Sequence, residues 1–156
     1  MTPSSEIIAK SIINCFFLIA FLIITITVSG QILQDEKRVI FLKETSILFD
    51  LTKDNPQQRF TPTATEIDSA DSVLDNYFLT INSVNSKNHH VDKYFRQYVG
   101  LWLKGQKIIF ISASCHKPDY FSENTFYPKG GGQCYFRTLI DINTKQVYQF
   151  YFNAPK

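Results

Sequence analysis

Three cysteines, three histidines and a scatter of acids are the side chains of this sequence that could carry redox, metal or nucleophilic chemistry. Cys115 and Cys134 are separated by a span suited to a disulfide, with His116 directly beside the first. Adjacency in sequence is not the spatial pairing that a Cys-His nucleophile needs, so a structural bond is the expectation. Closing a loop of roughly 20 residues is worth on the order of 3 kcal/mol in the chain-entropy model. His89 and His90 follow one another in a polar stretch, and neighbouring side chains on an extended chain point opposite ways. The sequence has no HExxH or CxxC spacing, so neither a metal nor a cofactor is expected.

The other patterns read in the same bland direction. Gly130-Gly131-Gly132 precedes a strand-like segment and lacks a following Lys-Ser/Thr, so it is a turn or bulge rather than a phosphate loop. Ser112 and Ser114 lack the G-x-S-x-G context of a nucleophile elbow. Asp119 and Glu123 lie in the polar loop from His116 to Lys129, where nothing in the sequence buries them to raise a pKa. Tyr120, Phe121, Phe126 and Tyr127 put four aromatics into that same loop, which is costly at a surface unless they dock or bind. The residues of the expected binding loop are therefore His116, Asp119, Tyr120, Phe121, Phe126, Tyr127, Gly130, Gly131 and Gly132.

The elements that must position this loop follow from patterning. The chain has 156 residues, 44% hydrophobic and 19% charged, with a formal net charge of +2 that argues against a nucleic-acid binder. Lys10 followed by an apolar run from Ile12 to Val28, then Ser29-Gly30-Gln31, has the order of a secretory signal cleaved after Gly30. An uncleaved anchor over 12–28 is the alternative, and it would be the chain's sole attachment to a membrane. Either reading exports residues 31–156 as one domain to the periplasm, the envelope or the medium, where a disulfide persists. Cys15 sits inside the apolar run and is badly placed for lipidation.

Within 31–156 the charge divides. Residues 31–92 hold ten acids against six bases, and residues 93–156 hold nine bases against three acids, so the halves are expected to face each other. Val39–Leu42 and Ile47–Leu51 read as short strands. Thr63 with Glu66 three residues on is a capping box, with Thr61 before Pro62 as the alternative start. Ile67, Ala70, Leu74, Tyr77, Phe78 and Ile81 then fall on one face of a helix over 63–82, with Asp68, Asp71, Ser72 and Asp75 expected on its solvated side. After a polar linker the period becomes two, through 94–103, 107–113, 133–142 and 146–152. Tyr148, Phe150 and Phe152 are expected on one face of the last strand. The expected fold is α+β: one long amphipathic helix on a four- to five-stranded antiparallel meander, in the manner of cystatin-like domains, after an N-terminal signal helix.

Phe60-Thr61-Pro62-Thr63 with Glu66-Ile67 and Ala70, then Arg96-Gln97-Tyr98-Val99-Gly100, then Gly131-Gly132-Gln133-Cys134-Tyr135-Phe136 and the closing Asn153-Ala154 form one set. On these stretches the chain resembles a group of small exported proteins of Bacteroidota over roughly residues 60–154. The resemblance implies export, the paired cysteines and the helix-then-sheet order, and it brings no activity. Where those proteins close on Asn-Gly-x-Ala, this chain has Asn153-Ala154-Pro155-Lys156. The function expected is that of a non-enzymatic binding protein for another protein or an envelope component, with the 116–132 loop as its contact. An inhibitor of a secreted enzyme is the alternative, and a secreted hydrolase the rival from another class.

Overall fold

In the computed structural model the described residues are 31–45, 59–81, 89–126 and 128–155. The segment expected to be a signal or anchor, the strand expected at Ile47–Leu51 and Tyr127 lie outside them. The elements run β1 (Gln31–Asp35), β2 (Arg38–Phe41), β3 (Arg59–Phe60), α1 (Ala64–Thr80), β4 (Phe95–Leu103), β5 (Gln106–Ser114), β6 (Tyr135–Asp141) and β7 (Gln146–Phe152), with 3-10 turns at Val91–Lys93 and Gly132–Cys134. The fold is α+β, one helix packed on a sheet.

Helix α1 starts where its capping box predicts. Thr63 Oγ1 accepts from the Glu66 N–H at 3.3 Å, and the Thr63 N–H donates to Glu66 Oε2 at 2.9 Å, which satisfies two otherwise orphaned donors. Ile67, Ala70, Leu74 and Phe78 are buried, and Tyr77 and Ile81 pack partly buried beside them.

The meander β4-β5-β6-β7 is antiparallel throughout, as the period-two segments imply. On the other side of β4 the expectation of an all-antiparallel sheet fails: β2 pairs with β4 in parallel, Val39 opposite Gln97 and Phe41 opposite Val99. The reason is the connection. The chain leaves β2, forms α1 and returns into β4, and a strand-helix-strand crossover delivers parallel neighbours where a hairpin delivers antiparallel ones. The sheet is mixed, in the order β1-β2-β4-β5-β6-β7, with β3 paired antiparallel to β4 beyond the end of β2.

Both faces of the sheet are buried, and strand alternation sorts the side chains between them. Ile40, Tyr98, Ile109, Ile111, Ala113, Phe136 and Ile140 face α1. Val39, Phe41, Val99, Leu101, Ile108, Phe110 and Leu139 form a second cluster with Phe121 of the long loop. The last strand corrects a face assignment. Tyr148 opposes Leu139 but Tyr151 opposes Arg137, so β7 carries one residue more than β6 there, and Gln149 takes a φ of +48°. The bulge shifts the alternation by one. Phe150 and Phe152 therefore join the helix-side core while Tyr148 packs on the other face.

Gly100 shows how tightly β3 is laid on. A Cβ there would lie 2.3 Å from the Phe60 carbonyl oxygen and 2.9 Å from the Phe60 ring. Gly100→Ala is expected to cost about 1–3 kcal/mol through displacement of β3. Urea denaturation monitored by circular dichroism checks this, and an unchanged midpoint would contradict it.

Candidate functional site

The candidate site is the long loop between β5 and β6, and it is built from its ends inward. Cys115 follows β5 and Cys134 precedes β6; they stand at disulfide distance with a Cα–Cα separation of 5.0 Å. The Cys115 N–H donates to the Cys134 carbonyl at 2.9 Å, so the loop's base is also joined through backbone. Ser114 Oγ donates to the His116 carbonyl at 2.6 Å and accepts from the His116 N–H at 3.1 Å, which sets the direction in which the chain leaves the sheet.

The middle of the loop docks. The Phe121 N–H donates to Pro118 O, and the Glu123 and Asn124 N–H groups donate to Tyr120 O, coiling the chain into a compact turn. This places Phe121 edge-on to Phe95, ring centroids 5.6 Å apart, and leaves it 2% exposed over the second core. Phe126 packs there too, half-buried. Two of the four loop aromatics are thus roof rather than contact surface, because among the described residues no helix covers the second sheet face and its apolar side chains need a cover. Tyr120 remains exposed on the turn.

Gln97 holds that roof in place. Its side chain is fully buried, Nε2 donates to Phe121 O at 2.6 Å and to Asn124 O at 2.7 Å, and Oε1 accepts from the Phe126 N–H at 3.1 Å. Ser112 Oγ adds a bond to Phe126 O at 3.1 Å. On a strand that alternates faces, Gln97 points to the loop while Arg96 and Tyr98 point to the helix. An amide inside a hydrophobic strand is the sequence signal for such an anchor, since a buried amide must find partners.

The loop's last third is clamped by the C-terminal tail. Asn153 Nδ2 donates to Pro128 O at 2.7 Å and Gly130 O at 3.0 Å, and the Gly132 N–H donates to Ala154 O at 3.1 Å. Gly130, Gly131 and Gly132 take φ of +79°, +90° and +59°, a run that side-chain-bearing residues would resist. A Cβ on Gly131 would lie 2.5 Å from the Tyr135 ring, so glycine there lets the ring close against the backbone.

Between the clamped ends lies a cleft of about 300 Å³ lined by His116, Pro128, Lys129, Gly130, Gly131, Cys134 and Tyr135. Of the expected binding residues it gathers His116, Gly130 and Gly131, with Gly132 next in the chain; Asp119, Tyr120, Phe121 and Phe126 are not in its lining. Lys129 and Tyr135 are additions that only the folded loop brings in.

A second polar cluster lies on the helix side, where sequence patterning misplaced Asp71. Expected on the solvated side of α1, it is 8% exposed; its carboxylate accepts from Tyr98 Oη at 2.8 Å and from Arg96 Nη1 at 2.9 Å. Burial, partly offset by Arg96 and the Tyr98 hydroxyl, pushes its pKa up to about 6. Asp68 remains exposed and pairs with Arg38 at 2.8 Å, and Asp75 Oδ1 accepts from the Val91 N–H at 2.8 Å. A hydrolase reading would call for a buried acid beside a cleft, but Asp71 is not among the cleft's lining residues and its oxygens are engaged by the sheet. Across the two chain halves Arg96 meets Asp71 and Lys107 meets Glu66, which is how the charge division is partly neutralised.

Comparison with family models, with curated proteins and with solved structures yields no match, so the residues themselves are the basis of any functional reading.

Proposed function

We propose that this chain is an exported, non-enzymatic binding domain of the periplasm or cell envelope that takes its ligand in the cleft at the base of the β5–β6 loop. The observation that supports it is the way the cleft is pre-built. The cysteine pair, Gln97 and Asn153 each tie the loop from a different direction, and a site ordered before its ligand arrives loses little conformational entropy on binding. The docked positions of Phe121 and Phe126 favour a concave contact over an inhibitor's protruding plug. We read the shape as a cystatin-like one extended by the parallel strand β2, and the apolar run of 12–28 with Gly30 before Gln31 supports export by a cleaved signal.

The test is affinity capture with the purified protein from culture medium and envelope extracts, using wild type and Lys129→Glu side by side. A partner retained by wild type and lost by the variant is the expected result; a partner retained equally by both would move the contact elsewhere. Intact mass of the protein from its native cells is expected to begin at Gln31, and a full-length mass in the membrane fraction would overturn cleavage.

A further inference from the structure

Resting on that reading, we infer that the cleft selects a ligand through a small anionic group, a carboxylate or a phosphate, carried on an apolar or planar body. Its basic side chains are His116 and Lys129, and the described lining contains no acid. The acids that could cancel this charge are committed elsewhere or lie outside the lining. Asp141 is 1% exposed, and its carboxylate caps the turn by accepting from the Asn143 and Thr144 N–H groups at 2.8 and 3.0 Å. Asp119 and Glu123 stand exposed on the docked turn, outside the cleft lining.

By contrast, two bases of the same half, Arg96 and Lys107, are occupied by Asp71 and Glu66 on the other side of the sheet. Lys129 and His116 are the basic side chains that line the cleft, and a concave site lined by one sign of charge gathers counter-ions. The rest of the lining is apolar or backbone: Pro128, the Tyr135 ring, Cys134 and two glycines with no side chains to fill the space. The Tyr135 ring, drawn against Gly131, offers a flat surface for the ligand's body while Lys129 and His116 meet its charge.

The experiment is a ¹H–¹⁵N NMR titration of the labelled purified protein with benzoate, with inorganic phosphate and with neutral benzamide. Benzoate is expected to shift the Lys129, Gly130, Gly131 and Tyr135 amides in a saturable way, at least tenfold more tightly than benzamide. Raising the salt from about 50 mM to about 500 mM is expected to weaken it severalfold. Lys129→Glu is expected to lose at least tenfold in benzoate affinity, with Lys129→Ala as a milder second variant; dispersed spectra of both show that the fold is kept. Phosphate shifting the same amides without benzoate doing so would keep the anionic selectivity and remove the apolar body from the inference. Benzamide binding as tightly as benzoate, or neither anion shifting the cleft, would overturn the anionic selectivity. If the anions fail while capture still returns a Lys129-dependent partner, the binding reading stands and this inference falls.

Discussion

Asp71→Ala is expected to lower the stability of this protein by roughly 3–5 kcal/mol at neutral pH, with a fall in Tm on the order of 10 °C or more. The loss comes from what the truncation leaves behind. Arg96 is 5% exposed and Tyr98 is fully buried, and both direct their polar hydrogens at the Asp71 carboxylate from the sheet side. Without it, a guanidinium and a phenol hydroxyl stay in the interface between α1 and the sheet with no acceptor, and an uncompensated buried charge costs far more than a lost surface pair. The same mutation at the exposed neighbour, Asp68→Ala, is expected to cost under about 1 kcal/mol, because a solvated pair with Arg38 contributes little. Urea unfolding of the two variants separates these outcomes, and equal midpoints would refute the assignment.

The same carboxylate sets an unusual pH dependence. Its pKa stands at about 6 in the folded protein, raised by burial first, opposed by Arg96, the Tyr98 hydroxyl and Arg38, and assisted by Asp75. The folded state therefore holds this proton more tightly than the unfolded chain does. Its contribution to stability is fully present below the unfolded value near 4 and is lost as pH rises through about 6, the reverse of a carboxylate whose pKa is depressed. Wild type compared with Asp71→Asn should show a stability difference that shrinks by about 2–3 kcal/mol between pH 4 and pH 7. The carboxyl carbon of Asp71 is expected to titrate near pH 6 by NMR.

The second large effect is at Gln97. Gln97→Leu keeps the volume of the buried side chain but leaves the carbonyls of Phe121 and Asn124 and the N–H of Phe126 without their amide partner. A cost of roughly 2–4 kcal/mol is expected, held to that range because the loop can lift and rehydrate its backbone instead of staying docked unsatisfied. Lifting is what hydrogen exchange reads. The Phe126 amide should exchange at least a hundredfold faster while the β4–β5 amides keep their protection, since the opening is local to the loop. Unchanged exchange at Phe126 would show that the roof does not depend on Gln97.

Much of this was legible in the residues. The Thr63–Glu66 box placed the start of α1 because a cap is a local bond between near neighbours. The four-strand meander followed from period-two runs, with short turns joining β4 to β5 and β6 to β7 and Lys104 and Gly105 at positive φ in the first of these turns. The cysteine pair was expected from its spacing and from the reading of the N-terminal segment as an export signal, and the two cysteines stand at disulfide distance. The parallel placement of β2 was not legible, because strand direction across a long connection is decided by which edge the returning helix leaves open. Nor was the bulge at Gln149, where one extra residue reverses the facing of Tyr148 and no side-chain type announces it. Asp71 was misplaced for a related reason. Helical periodicity separates apolar from polar residues, and it assigns a carboxylate to water unless the facing strand is known to bring an arginine and a tyrosine.

The sequence by itself determined the local order of elements, the caps and turns, and the two cysteines, all of which depend on interactions within a few residues or on composition. The tertiary structure alone decided that the sheet has two buried faces, that Gln97 and Asn153 hold the long loop as a roof, and that His116, Lys129 and Tyr135 share one cleft. Those arrangements depend on pairing between strands and loops far apart in the chain, where burial forces polar groups to find partners that no short window of sequence contains.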